Sequence, residues 1–338
     1  MKRSLLILVA TAAVWTGCSK TETIDQPQGM AIGFTNAYIG NPVESKAVGI
    51  INRENISEFI VYGGYNDMTH VFNGVSVTGS ANTNEWSYTT TRYWVAGKTY
   101  KFAAYAPKEI NGTIKTDFAT GALNFTDYVS DPSNQHDLIY DAAEEITNNP
   151  IVSAPDKVLF EFSHLLSMIK FTFNSGFGND ITVTVGNLNV SGMISKGSYT
   201  GSTGTWALGS ETVSTGAAFT EMGPNKAFNK TTGNTSASSV DFAVIPQEIA
   251  DTTVTASFNV RVQDNQQNYI IGNADAGVPV SATLPAYKWE KGNRYNYTVT
   301  IKGENVDLYP IEFGTPNVTE ITNDVNFPGS DEVILPTN

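Results

Sequence analysis

Cysteine, histidine and basic residues are scarce in this chain. Its 338 residues include one cysteine, three histidines and 20 lysines and arginines. A single cysteine cannot form an internal disulfide, so the burial of apolar side chains must hold the fold together. His70, His136 and His164 do not follow a metal-binding spacing, and cysteine ligands are missing, so we expect no structural zinc site.

The charge balance is acidic. The chain has 33 aspartates and glutamates and a formal net charge of −13 at pH 7. Lys2 and Arg3 lie in an N-terminal leader, so a mature chain without it would keep 18 basic residues and a charge of −15. A field of this sign repels nucleic acids and anionic lipid surfaces. We therefore expect no nucleic-acid partner.

Long apolar runs are missing too, and the one near the N-terminus is short. A basic start precedes the apolar residues 4–10, a pattern typical of a signal peptide over residues 1–17 and too short for a membrane-spanning helix. Cys18 directly follows the small residue Gly17, as in a bacterial lipoprotein. An ordinary secreted protein, cut nearby and left with an unpaired thiol, is the alternative. We interpret Cys18 as the lipidation site that attaches the chain to the outer membrane, and residues 18–29 as a tether.

Period-two alternation dominates the chain beyond the tether. Apolar side chains recur at every second position in residues 158–162, 169–173, 181–185, 254–262 and 295–301. Successive side chains of a strand point to opposite faces, so this pattern predicts strands with one buried face. Repeated short strands separated by turns predict an all-β fold of sandwich type. Residues 141–146 are the main stretch that favours a helical turn or two.

Prolines and asparagines mark a boundary near residues 148–156. The sequence therefore predicts an N-terminal β-sandwich over residues 30–150 and a C-terminal β-sandwich over residues 151–338, which ends in a tail. A Gly/Ser-rich hairpin is expected at residues 197–210, with Trp206 as its one large anchor.

No arrangement of residues predicts catalysis. The chain lacks a nucleophile elbow and a phosphate-binding loop, and Gly97-Lys98-Thr99 is interpreted as a hairpin turn. His164 is interpreted as a hydrogen-bonded residue where a strand bends. We therefore expect a protein that is not an enzyme and has no cofactor.

Two clusters allow a binding role. One is the densest acidic patch, which a calcium ion or, more simply, a solvated loop would explain; its members are Asp127, Asp131, His136 and Asp137. The other is a group of aromatic residues that fits a core hairpin or a sugar-binding platform; its members are Trp86, Tyr88, Tyr93 and Trp94.

Several ordered motifs resemble the fimbrillin family, the lipoprotein-derived pilins of Gram-negative bacteria. They are Tyr93-Trp94-Val95-Ala96-Gly97-Lys98-Thr99-Tyr100-Lys101-Phe102-Ala103-Ala104-Tyr105-Ala106-Pro107, Asp137-Leu138-Ile139-Tyr140, Phe160-Glu161-Phe162-Ser163-His164-Leu165-Leu166-Ser167-Met168-Ile169-Lys170-Phe171, Ile245-Pro246-Gln247 and Trp289-Glu290-Lys291-Gly292-Asn293-Arg294-Tyr295. The resemblance implies two transthyretin-like β-sandwiches in tandem. It also implies assembly by donor-strand exchange, in which a protease cuts after an Arg or Lys just beyond the first strand. That strand leaves, and a C-terminal strand of another subunit replaces it.

The resemblance can be carried onto individual residues. Residues 30–38 are the candidate first strand, with Ile32, Phe34 and Tyr38 expected on one face. Lys46 is the candidate processing site, with Arg53 second, although Lys46 also fits an ordinary loop lysine. The candidate donor is the tail, residues 323–338, whereas residues 308–321 could complete their own domain.

The expected function is that of a non-catalytic fimbrial subunit at the cell surface, which supports adhesion and contacts other fimbrial subunits. A tail unable to donate would make it a cap or an anchor. Two alternatives remain, a glycan-binding lipoprotein of a nutrient-uptake system and a tip adhesin that contacts a host or bacterial surface ligand. Exposure of the aromatic group on one flat face would favour the glycan-binding alternative.

Overall fold

Strands make up almost all of the ordered secondary structure. The computed structural model of the protein describes residues 30–41, 50–81, 85–130, 136–148, 157–212, 226–233, 235–239, 241–302, 312–320 and 322–323. These ranges contain 25 strands, one short 3-10 helix at Lys230–Thr232 and no α-helix. The prediction of an all-β fold is confirmed. No helix in these ranges has the length and apolar character needed to cross a membrane.

The largest sheet has nine strands. They are β1 (Phe34–Asn41), β2 (Glu58–Gly64), β3 (Phe72–Ser80), β4 (Glu85–Ser87), β5 (Thr99–Ala106), β8 (Ile139–Ala142), β9 (Ile146–Thr147), β10 (Val158–His164) and β25 (Thr322–Asn323). Their order is β25-β1-β10-β8-β5-β2-β3-β4, and β9 pairs with β5. The ring of Phe34 on β1 contacts that of Phe72 on β3 at 5.4 Å, although β1 and β3 lie far apart in the strand order. The sheet is therefore curled, and it encloses an aromatic core.

β10 shows how the chain returns to this sheet. Its side chains alternate between buried and exposed, with Val158, Phe160 and Phe162 at most 1% exposed. It follows the predicted boundary near residues 148–156, yet it lies between β1 and β8. Segments from both sides of that position thus build the first sheet.

A four-stranded sheet forms a second layer. Its strands are β6 (Thr113–Asp117), β7 (Ala122–Val129), β13 (Lys196–Thr200) and β14 (Thr205–Leu208), in the order β14-β13-β7-β6. β13 and β14 are the expected Gly/Ser-rich hairpin. The Trp206 indole N–H donates to the carbonyl of Leu165 at 2.8 Å, so this residue does anchor the hairpin. Tyr105, Phe125 and Tyr199 share a core with Ile245 between this layer and the first sheet.

The rest of the chain forms two further five-stranded sheets. One has β11 (Ser167–Ser175), β16 (Ser236–Ser238), β17 (Phe242–Val244), β23 (Asn293–Ile301) and β24 (Asn317–Glu320); the other has β12 (Thr182–Ser191), β15 (Lys226–Asn229), β19 (Thr255–Gln263), β20 (Tyr269–Ile271) and β21 (Val278–Thr283). β18 (Glu248–Ile249) pairs with β22 (Tyr287–Lys288). Phe173 and Phe258 meet at 4.9 Å in the common core of the two sheets. Their packing is that of a β-sandwich.

The predicted alternation is confirmed in this sandwich. On β19, Ala256, Phe258, Val260 and Val262 are at most 2% exposed, and the intervening residues are partly exposed. The same pattern holds on β11 and β23, which pair in parallel over eight residues from Met168↔Arg294 to Ser175↔Ile301. Burial of one face therefore positions these strands, as expected from period-two sequences.

The expected helical turn at residues 141–146 is wrong. Asp141 and Ala142 end β8, and Ile146 begins β9; both strands pair with β5. Pairing with a neighbouring strand outweighs the weak helix preference of this short stretch.

Residues 312–320 complete the second sandwich. The ring of Phe313 is 5% exposed and lies 5.5 Å from that of Phe171 and 6.3 Å from that of Phe258. β24 then pairs with β23 in antiparallel fashion, from Asn293↔Glu320 to Asn296↔Asn317. This part of the C-terminal region belongs to its own core, one of the two roles expected for it.

Replacing Phe313 by Ala should lower the free energy of unfolding by about 3–5 kcal/mol, because it empties a site between the two sheets. Urea denaturation monitored by tryptophan fluorescence measures the change. Val318→Ala on β24 is the matched control, since Val318 is 37% exposed and its truncation should cost less than about 1 kcal/mol. Equal effects of the two substitutions would show that Phe313 does not belong to the core.

Candidate functional site

The N-terminal segment joins two parts of the first sheet that are far apart in strand order. Residues 34–39 of β1 pair in parallel with β10, from Phe34↔Val158 to Ile39↔Phe162. The residues just before β1 bond to the segment after β4: the Ile32 N–H donates to the Arg92 carbonyl at 2.8 Å, and the Trp94 N–H donates to the Met30 carbonyl at 3.0 Å. One segment therefore satisfies backbone groups on both sides of the opening of the curled sheet.

Phe34 fills the centre of the aromatic core. Ile32 and Phe34 are each 1% exposed. The Phe34 ring stacks on Phe160 at 5.9 Å and meets four other rings edge-on, those of Phe59, Phe72, Tyr88 and Phe102, at 5.4–6.4 Å. Burying each of these two side chains stabilises the fold by about 1.5–3 kcal/mol. The prediction that Ile32 and Phe34 share a buried face is confirmed.

The same prediction is wrong at Tyr38. The register between β1 and β10 shifts between Thr35 and Ala37, so Ala37 lies opposite Phe160 and Tyr38 lies opposite the exposed Glu161. A bulge places one extra residue in a strand and exchanges the positions beyond it. Simple alternation along the sequence could not reveal it.

The wall opposite β10 is fixed by its own contacts. The Tyr88 hydroxyl donates to the Ile32 carbonyl at 2.6 Å. The Arg92 guanidinium lies 4.8 Å from the centre of the Phe72 ring and donates to the carbonyls of Thr89 and Thr90. We call the space between this wall and β10 the N-terminal groove; β1 and the residues from Met30 onward occupy it.

Residues 50 and 51, which come directly after the segment 42–49, are anchored below the sheet. The Ile50 side chain is 6% exposed. The Ile51 N–H donates to Asp137 Oδ2 at 3.1 Å, and His164 Nδ1 lies 2.7 Å from the same oxygen. His164 is thus a hydrogen-bonded residue at the end of β10, as expected. The prediction of a solvated acidic loop is wrong for Asp137, which is 2% exposed because it bonds to these groups.

The other acidic residues do not converge. Asp127 is exposed and lies 3.5 Å from Lys196, His136 is exposed, and Asp131 lies outside the described residues. In the part of the chain that the structure describes, no three His, Cys, Asp or Glu side chains are grouped so that they could hold a metal ion. The patch therefore gives no support to a calcium site.

The aromatic group belongs mainly to the core. Trp94 is 5% exposed, and Trp86 and Tyr88 pack against the same core from partly buried positions. Tyr93 alone of the four is strongly exposed, at 53%. A flat sugar-binding face formed by these four residues is therefore not present, and the core interpretation is confirmed for three of them.

Asp141 connects β8 to the strand that carries β1. Its Oδ2 accepts a hydrogen bond from the Glu161 N–H of β10 at 2.8 Å. Burial raises the pKa of Asp141 to about 6, although hydrogen bonds from the Glu161 and Ala142 amides act in the opposite direction. The carboxylate is thus costly in the folded state at neutral pH.

Of the candidate processing residues, only Arg53 lies in the described part of the chain. It is in a turn over residues 53–55, where the Asn52 side chain accepts from the Glu54 and Asn55 amides. Lys46 and Cys18 both lie outside the described residues.

Comparison with known proteins identifies the family. The model of the fimbrillin-like family matches residues 45–319, which is most of the chain. The chain belongs to the fimbrillin-like family. The match begins after β1, so the strand that fills the N-terminal groove of this fimbrillin-like chain lies outside the matched region.

Solved structures show the same fold. A fimbrial protein from Bacteroides vulgatus is 19% identical with a TM-score of 0.58, and the match covers 85% of this chain and 100% of that one. A protein from Bacteroides ovatus is 15% identical, with a TM-score of 0.48 and coverage of 87% and 97%. The fimbrial anchor protein Mfa2 from Porphyromonas gingivalis is 9% identical, with a TM-score of 0.36 and coverage of 88% and 100%. No curated protein matches the chain in sequence.

The effect of pH on Asp141 can be tested. Its pKa in the folded state, about 6, exceeds the ordinary value of 3.8, so its protonation favours folding. This contribution is complete below pH 3.8 and is lost as pH rises through 6. Wild type should therefore lose about 1–3 kcal/mol of stability relative to Asp141→Asn between pH 4 and 7.

Urea denaturation of both proteins across this range measures the difference. Asp264→Asn is the control of opposite sign, because hydrogen bonds from Asn268 lower the pKa of Asp264. A pH-independent difference between wild type and Asp141→Asn would contradict the raised pKa.

Proposed function

We propose that the protein is a non-catalytic fimbrial subunit, exported as a lipoprotein through Cys18 and assembled at the cell surface by donor-strand exchange. The observation that carries this proposal is the position of residues 30–41. They complete the first sheet and place Phe34 in its core, yet they precede the region that matches the family. In this proposal the mature subunit is held at the outer membrane by its lipid until processing, and it supports adhesion.

The backbone of the N-terminal groove explains why a replacement strand would bind. Without β1, β10 would present unpaired N–H and C=O groups along one edge, and so would residues 92–94. The aromatic core would also be open where Phe34 now lies. An incoming strand that pairs with β10 and offers apolar side chains at alternate positions restores both. A groove in the first half and a donor near the C-terminus give head-to-tail contacts, which form filaments when they do not close.

The contacts of residues 50 and 51 favour Lys46 over Arg53 as the processing site. A cut after Arg53 would place Ile50 and Ile51 on the departing fragment, and their burial and the hydrogen bond to Asp137 would be lost. A cut after Lys46 leaves both residues with the folded body. Proteases prefer exposed loops to hydrogen-bonded turns such as residues 53–55.

Treatment of the purified precursor with a trypsin-like protease should remove the N-terminal fragment and yield oligomers in a ladder on a gel. Lys46→Gln should block both results, because the fragment that carries β1 stays covalently attached. Arg53→Gln is the matched control and should behave as wild type. Mass spectrometry of the new N-terminus identifies the cut.

Two results would contradict the proposal. One is a wild-type subunit that loses the fragment and stays monomeric even beside candidate partner pilins. The other is a Lys46→Gln variant that assembles as well as wild type. Fragment loss followed by incorporation only at the end of a partner's polymer would identify a cap or an anchor.

A further inference from the structure

Two neighbouring positions of the N-terminal groove are strictly apolar. The Ile32 and Phe34 side chains point to the same side, two residues apart, and each is 1% exposed. Phe34 contacts five aromatic rings, four of them edge-on. Edge-on contacts on several sides suit a flat aromatic ring, and a smaller side chain would leave a cavity. An occupant of the groove therefore needs an apolar residue and, two positions later, an aromatic one.

The position between these two is permissive. A Cβ atom placed at Gly33 would lie 3.1 Å from Cγ of Lys157, the stem of an exposed and flexible side chain. A modest shift of Lys157 would admit a small polar side chain there. The pattern that fits the groove is thus apolar, then small or polar, then aromatic.

The C-terminal tail contains this pattern once. Val325-Asn326-Phe327 has the required order, and Phe327 is the only aromatic residue after Phe313. The described chain reaches Asn323, which pairs with Gly40 of β1, so the tail begins two residues before Val325. The apolar group Val333-Ile334-Leu335 offers no ring for the Phe34 position.

Proline does not exclude this alignment. Placed in the same direction as β1, Pro328 would take the position of Thr35, directly before the register shift of β1. Prolines in strands are tolerated at such irregular positions.

We propose that, in the strand exchange proposed above, Val325 and Phe327 from the tail of a second copy take the positions of Ile32 and Phe34. The inference rests on the proposed function, and it assigns the aromatic site of the groove as the determinant of which strand is accepted. A strand without an aromatic residue at this position is rejected because it leaves the five-ring cluster unfilled.

A competition experiment with peptides tests the assignment. The unlipidated mature chain is cut within residues 42–49, with the fragment left in place, and fluorescent peptides are added. A peptide of residues 30–41 should exchange into the groove, and a peptide of residues 322–338 should do the same. In the second peptide, Phe327→Ala should weaken binding roughly 10- to 100-fold, because burial of the ring is lost. Ile334→Ala is the matched control and should bind as the unmodified peptide does.

The outcomes separate the two proposals. If the 30–41 peptide cannot exchange, the groove does not release its strand, and both proposals fail. If that peptide exchanges and the tail peptide does not, or if Ile334→Ala weakens binding and Phe327→Ala does not, only the assignment of Phe327 is overturned. A protein-level check uses Phe327→Ala in the whole chain, which should fold with unchanged stability and act as acceptor but not as donor. Uptake of the tail by its own chain, seen as a concentration-independent monomer with a filled groove, would overturn the role of a second copy.

Discussion

The structure depends on closure of the curled first sheet by residues 30–41. Two backbone edges need partners there, that of β10 and that of residues 92–94, and the aromatic core between them needs a ring. Unpaired strand edges and open apolar surfaces both invite association with other chains. One short segment removes both hazards in the folded chain. It is attached to the rest of the first sheet only by its hydrogen bonds, by its buried side chains and by the link through residues 42–49.

The remainder of the molecule is tied together much more extensively. β13 and β14 come from the second part of the chain, yet they extend the layer formed by β6 and β7. Lys291 Nζ donates to the Gly204 carbonyl at 3.1 Å and lies 3.2 Å from the Tyr199 hydroxyl, and Ser130 Oγ donates to the Ala243 carbonyl at 2.7 Å. These contacts and a shared core join the first sheet to the second sandwich. The body that accepts a strand therefore has support on the side away from the groove.

The sequence predicted local features well and distant pairings poorly. Period-two patterns located β11, β19 and β23, since each strand has one face in a core. The same patterns carry no information about partners, so the parallel pairing of β10 with β1 across the predicted boundary was not foreseen. The burial of Asp137 was missed for a similar reason: its partners, the Ile51 amide and His164, are 86 and 27 residues away. Phe34 was placed correctly because it precedes the bulge, and Tyr38 was not because it lies beyond it.

The size of the apolar contribution also bears on how exchange could proceed. Ile32 and Phe34 together stabilise the closed groove by roughly 3–6 kcal/mol, and a strand with Val and Phe at the same spacing would restore nearly the same amount. The hydrogen bonds to β10 would likewise be lost and regained. Exchange between two such strands is then close to neutral in free energy, so a large difference in affinity cannot drive it. What changes on processing is the link through residues 42–49: while it is intact, β1 competes at a high effective concentration, and once it is cut, that advantage disappears. A covalent bond outside the groove can therefore decide which strand fills it.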